Sequence, residues 1–133
     1  MLLPEAEELN AINIEKRLRR CLFDFGLALR YFLISKSIIP RDSAYIDVQL
    51  YLQLIDFEYR RDKRFLPIST EMQPEMEIRL MEGRMGRNAL GHGNKPEILN
   101  DSEVYVNAWT YIASAICQKK AQEIRNAWCS TTD

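Results

Sequence analysis

The stretch "GRMGRNALGHG", residues 83–93, holds the chain's single histidine, His92, and four of its five glycines, Gly83, Gly86, Gly91 and Gly93. Arg84, Arg87 and Asn88 precede the histidine and Lys95 follows it. Imidazole titrates near neutrality and moves protons. A guanidinium offers a permanent, two-pronged charge to a phosphate that is gathering negative charge, and an amide can orient both. These residue types suit binding a phosphate and moving protons beside it. Residues five apart on an ideal helix point about 140° away from each other, so Arg87 and His92 share a face only where the helix stops. Gly91 and Gly93 allow that stop, a left-handed glycine at the helix end re-aiming His92. Arg84, Asn88 and His92 are spaced by fours and line one face in any case. Between residues 79 and 95 the basic side chains Arg79, Arg84, Arg87 and Lys95 face a single carboxylate, Glu82, a local positive patch.

The elements that must carry these residues are helical. Leu18, Cys21, Leu22, Phe25, Leu29, Phe32 and Leu33 recur at three- and four-residue steps, one apolar face of a long first helix. Pro4 with Glu5 suits its start, and Asn10 or Asn13 offers a restart that would make it two helices. "SIIPRDS" is a break, with Asp42 or Ser43 as the next cap. The second helix, about 44–61, is apolar on more than one side (Val48, Leu50, Tyr51, Leu52, Leu54, Ile55, Phe57) and is expected centrally in the core. Thr70 followed by Gln73 resembles a capping box that opens a third helix through Met76, Leu80, Met81 and Met85 into the glycine-rich stretch. "NKPEILNDSE" reads as a loop with Asn100, Asp101 or Ser102 capping the last helix, whose apolar face carries Val104, Ala108, Trp109, Ile112, Ile116, Ile124 and Trp128. No segment alternates like a strand. The expected fold is all-α, an antiparallel bundle of four to five helices in a single domain spanning 1–133.

Composition agrees with that architecture. With 47% hydrophobic and 28% charged residues in 133, the chain suits one core. A net charge of −1 excludes a protein coated in positive charge, so any nucleic-acid contact is local. Three widely spaced cysteines, Cys21, Cys117 and Cys129, form neither a disulfide framework nor a zinc motif, which points to an intracellular, cytoplasmic setting. The sequence offers no leader peptide and no membrane span.

"RNALGH", Arg87 to His92, resembles the signature of the HEPN superfamily, in which an arginine is followed by a polar residue and, after four to six intervening residues, by histidine. As in that family, the motif lies late in a small helical bundle, near the end of one helix and ahead of the last. The resemblance implies a metal-independent endoribonuclease: the RNA 2′-hydroxyl attacks the neighbouring phosphate and leaves a cyclic phosphate and a 5′-hydroxyl. On that basis His92 moves protons, Arg87 holds the phosphate and Asn88 orients the site; Arg84, from its helical spacing, and Lys95, from the basic patch, are expected to contact RNA. Cleavage of this kind needs a proton acceptor and a proton donor, and a homodimer would supply two histidines. HEPN ribonucleases commonly pair their motif helices across a two-fold axis. Gly83 and Gly86 each cost about 1 kcal/mol inside a helix, and close approach of a second copy at a dimer interface accounts for them.

Other readings compete. Arg87 pairing with Glu82 or Glu97, and His92 at a helix C-terminus, are sufficient as purely structural features. A non-catalytic HEPN-like module that binds RNA or assembles with a larger host protein or a regulatory partner is the main alternative. Trp109 and Trp128 are expected in the core or an interface, and the methionines in the core.

Overall fold

The computed structural model describes residues 4–130. Among them are five α-helices and no strand: α1 (Pro4–Ser35), α2 (Val48–Arg61), α3 (Gln73–His92), α4 (Lys95–Ile116) and α5 (Gln118–Cys129), with short 3-10 turns at Lys63–Phe65 and Thr70–Met72. The all-α bundle expected from the apolar periodicity is the observed fold. No helix among the described residues is long and apolar enough to cross a membrane.

α1 is one uninterrupted helix, without a restart at Asn10 or Asn13. Asparagine in a helix interior costs only a few tenths of a kcal/mol, and the apolar face from Leu18 to Leu33 is buried apart from the half-buried Leu22. The helix ends where Ser37 turns left-handed (φ 61°) and the Ile38 N–H donates to the Leu33 carbonyl at 2.9 Å. Residues 36–47 then double back along α1. Arg30 Nη2 donates to the Ser43 carbonyl at 2.7 Å, and the Tyr45 ring covers Gly26 so closely that a side chain there would collide with it.

This return path explains why α2 starts later than its apolar pattern suggests. Asp47, not Asp42 or Ser43, is the cap: its Oδ1 accepts from the Gln49 N–H at 3.0 Å. α2 runs in the same sense as α1, with Phe65 beyond its end meeting Phe32 at 5.3 Å, and antiparallel to α3. It is a flanking helix, not the central one. Val48, Tyr51, Leu52, Ile55 and Tyr59 form a single buried face, while Leu50 and Phe57 face solvent.

The centre belongs to α1, α3 and α4. Trp109 on α4 is fully buried, stacks on Phe25 with ring centroids 5.9 Å apart, and donates its Nε1–H to the Gly83 carbonyl at 3.0 Å. A Cβ on Gly86 would stand 2.7 Å from Tyr105 and 2.8 Å from Trp109; one on Gly83 would stand 3.2 Å from Trp109. Both glycines are buried inside the chain. The dimer-interface role expected for Gly83 and Gly86 is therefore corrected: the close approach they permit is that of α4.

Three boundaries also differ from expectation. Thr70 belongs to the 3-10 turn and caps nothing; α3 opens at Gln73 with Pro74 in its first turn, where a missing N–H is harmless. "KPEILN" is the start of α4 and not a loop, because the Asn94 side chain accepts from the Glu97 N–H at 3.3 Å and Pro96 occupies the first turn. The last helix breaks at Cys117, whose extended backbone (φ −162°) lets α5 fold back antiparallel on α4. There Trp128 Nε1 donates to Glu103 at 2.9 Å and Arg125 to Asn107 at 2.6 Å. Met76 fills the core as expected, but Met81 and Met85 do not; they are exposed.

Candidate functional site

Everything at the site follows from how α3 stops. Gly93 takes the left-handed conformation (φ 64°), its N–H donates to the Leu90 carbonyl at 3.3 Å, and the Asn94 N–H donates to the Ala89 carbonyl at 2.9 Å. That pattern satisfies the last carbonyls and ends the helix. From α1, Arg19 Nη2 adds a bond to the Leu90 carbonyl at 3.1 Å. His92 is thus the final helical residue, and its side chain is exposed.

Arg87 does not pair with Glu82 or Glu97. Its Nε donates to Asp47 Oδ1 at 3.2 Å and its Nη2 to Asp47 Oδ2 at 2.7 Å. Those hydrogen bonds hold the Asp47 carboxyl below the usual carboxylate range and raise the guanidinium above its ordinary value. One carboxylate therefore caps α2 and fastens α3 to it. The guanidinium reaches this position by lying over Gly91: a Cβ there would collide with Arg87 Nη1. A guanidinium carries five N–H donors. Asp47 takes the side edge, Nε and Nη2, and Nη1 is left beside the residue that immediately precedes His92.

Arg84 and Arg79 are tethered by carboxylates from α2 and from α3 itself, respectively. Arg84 Nη2 lies 3.5 Å from Asp56 Oδ2, and its buried Nε has no hydrogen-bond partner among the described residues. Arg79 binds Glu75 at 2.8 Å and Glu82 at 3.2 Å, with its guanidinium over the Tyr111 ring. Three of the four basic residues counted along residues 79–95, Arg79, Arg84 and Arg87, are in space held in ion pairs. Lys95 is exposed on the first turn of α4, and Asn88 is half-buried on the same side of α3 as His92. Among the described residues no hydrogen bond or ion pair joins Arg87, Asn88 and His92 to one another. What the fold brings together is the head of Arg87, Asp47 and Gly91; α3 stays helical through His92, so the re-aiming of His92 expected from Gly91 and Gly93 does not occur and the imidazole points about 140° away from Arg87.

Three participants escape a sequence reading: Asp47, Asp56 and Arg19. Only Asp47 carries a local signal, an aspartate directly ahead of the apolar run "VQLYLQLI". Asp56 and Arg19 reach the site by tertiary packing alone. Cys21 offers no competing chemistry, since burial pushes its thiol up to about 12 and keeps it protonated. No group of three or more His, Cys, Asp or Glu side chains among the described residues is placed to hold a metal ion. No family model, curated protein or solved structure matches the chain.

Proposed function

We propose that this domain is a HEPN-like, metal-independent endoribonuclease working through Arg87 and His92 as a homodimer. The observation that carries the reading is the side-on grip of Asp47 on Arg87. It orients the guanidinium and leaves Nη1 over Gly91, the residue before the exposed His92. In the reaction the 2′-oxygen bonds to phosphorus as the bond from phosphorus to the 5′-oxygen breaks. One His92 accepts the proton of the 2′-hydroxyl, a second donates a proton to the departing 5′-oxygen, and Arg87 offsets the charge gathering on the phosphate.

The second histidine comes from a second copy, and the surface for it is on the solvent side of α3. Ile78, Met81, Met85, Asn88 and His92 follow one another at steps of three and four residues, the spacing of a two-helix seam. Ile78, Met81 and Met85 are 47%, 56% and 46% exposed. Covering that stripe with its symmetry mate places both imidazoles on a shared surface. Asn88 orients the site, while Arg84 and Lys95 flank it for RNA contact.

One observation favours a second reading. Asp47 occupies two of the five Arg87 donors, which suits a non-catalytic module for RNA binding or assembly within a larger protein. Incubation with structured and unstructured RNA in chelator separates the two. Cleavage that is lost in His92→Ala and Arg87→Ala supports the enzyme; intact RNA with a retained gel shift supports the module. Neither cleavage nor binding rejects an RNA role for this surface.

A further inference from the structure

The fold leaves the outer side of the first turns of α1 uncovered. Among the described side chains from Ala6 to Arg17 none is buried, and the core begins at Leu18. Glu8, Ile12 and Lys16 follow one another there at steps of four, with Leu9 beside them. All four are exposed, Leu9 to 61% and Ile12 to 52%. Elsewhere helical charges find a partner one turn away, as in Glu15–Arg19, Asp56–Arg60 and Glu75–Arg79. Glu8 and Lys16 do not. One turn on from Glu8 stand Ala11 and Ile12; Lys16 has Ile12 and Asn13 one turn back and Arg19 and Arg20 one turn on. Lys95 of α4 lines the same groove as Glu8 without pairing with it, and no ion pair reaches Glu8 or Lys16 from the described residues.

The stripe thus reads acid, apolar centre, base, with Ile12 midway between Glu8 and Lys16 and about 6 Å along the helix axis from each. That symmetry decides what it fits. Turned end for end and laid on itself about Ile12, the stripe sets Ile12 against Ile12 and Glu8 beside Lys16, twice over. This is the self-matching contact that a two-fold axis demands. A parallel copy would set Glu8 on Glu8 and Lys16 on Lys16, like charge against like. An unrelated partner would need the same order of acid, apolar centre and base in reverse, and this chain already carries it.

We propose that the outer face of α1 over residues 8–16 is a contact between two copies of this chain, antiparallel about Ile12 and held by two Glu8–Lys16 bridges. It uses none of Ile78, Met81, Met85, Arg87 and His92, so it is independent of the α3 seam and of the RNA reading. A leucine and an isoleucine from each copy with two exposed ion pairs make a weak contact, one that fills only as concentration rises. Sedimentation over a concentration series tests it on the Met85→Glu chain, where the α3 seam is removed from the readout. Monomers at low concentration should associate to dimers as concentration rises, and added salt should weaken the association. Glu8→Lys and Lys16→Glu in that chain should each weaken it by about 10-fold, because both bridges become like-charged. Mixing those two chains in equal amounts should restore it, since each bridge again joins opposite charges, and so should both reversals in one chain. Ile12→Asp should abolish it. Circular dichroism checks that these exposed substitutions leave the fold intact. No association at any concentration, association indifferent to either reversal, or reversals that mixing does not rescue overturns the contact. Wild type should show the same charge dependence one step up, from dimer to tetramer; the same dependence from monomer to dimer rejects the α3 seam and leaves this contact standing.

Discussion

Gly86 and Gly91 sit on the same helix, and each admits a neighbour that a side chain would expel, yet the two neighbours differ in kind. At Gly86 the guest is the Tyr105–Trp109 wall of α4, fully buried and apolar; at Gly91 it is the charged head of Arg87, half-exposed and tied to Asp47. The first contact is a packing constraint that the whole fold depends on. The second positions one group and is otherwise dispensable. Glycine in a helix is thus informative only once its neighbour is known, and the comparison separates the residues that make the bundle from those that make the site.

The largest effect expected from breaking that comparison is at Gly86. Gly86→Leu should prevent folding, and even Gly86→Ala should cost about 1–3 kcal/mol in urea melts, because neither ring can retreat in a filled core. Gly91→Ala should behave in the opposite way, leaving stability unchanged or raised by up to about 1 kcal/mol through helix propensity while displacing Arg87 and lowering RNA cleavage. If both alanines destabilise alike, the distinction fails. Next in size is Trp109→Phe, which keeps most of the ring but removes the bond to the Gly83 carbonyl; a loss of about 1–2 kcal/mol by thermal melt is expected.

Asp47 sharpens the comparison on the polar side. Asp47→Ala removes cap and ion pair together and should cost about 1–2 kcal/mol, whereas Asp47→Asn keeps an acceptor for Gln49 and loses only the charge. Because Arg87 lowers the Asp47 carboxyl in the folded chain, its contribution is present above the unfolded value of about 3.9 and disappears as pH falls through the lower folded value. The stability gap between wild type and Asp47→Asn should therefore be constant near neutrality and close below about pH 4, as followed by denaturant titrations at several pH values. The smallest effect on folding is expected from Met85→Glu: stability within about 0.5 kcal/mol of wild type, but a shift from dimer to monomer in sedimentation and a parallel loss of cleavage.

How far the sequence discloses this molecule differs between the same two regions. The bundle is legible because apolar periodicity is local: the buried faces of α1 and α3 and the stop at Gly93 all follow from residues within a few turns. Helix boundaries were harder to read where tertiary contacts overrode local signals, as when Arg30 and Gly26 hold residues 43–45 against α1 and postpone α2 to Asp47. The charged site was the least legible part. Arg84 and Arg87 find Asp56 and Asp47 on a different helix, so a charge count along the chain could not show that the patch is internally paired. The glycines misled for a related reason: their type announces a close approach but does not say whether the visitor is a second copy or α4.

The central claim is that Arg87, oriented by Asp47 over Gly91, and His92 together cleave RNA without a metal. Mass analysis of the products formed from a single-stranded oligoribonucleotide in excess chelator tests it most directly. Fragments ending in a cyclic phosphate, paired with fragments bearing a 5′-hydroxyl and absent with His92→Ala, are the expected result. Intact substrate, or cleavage that persists in His92→Ala, would contradict it.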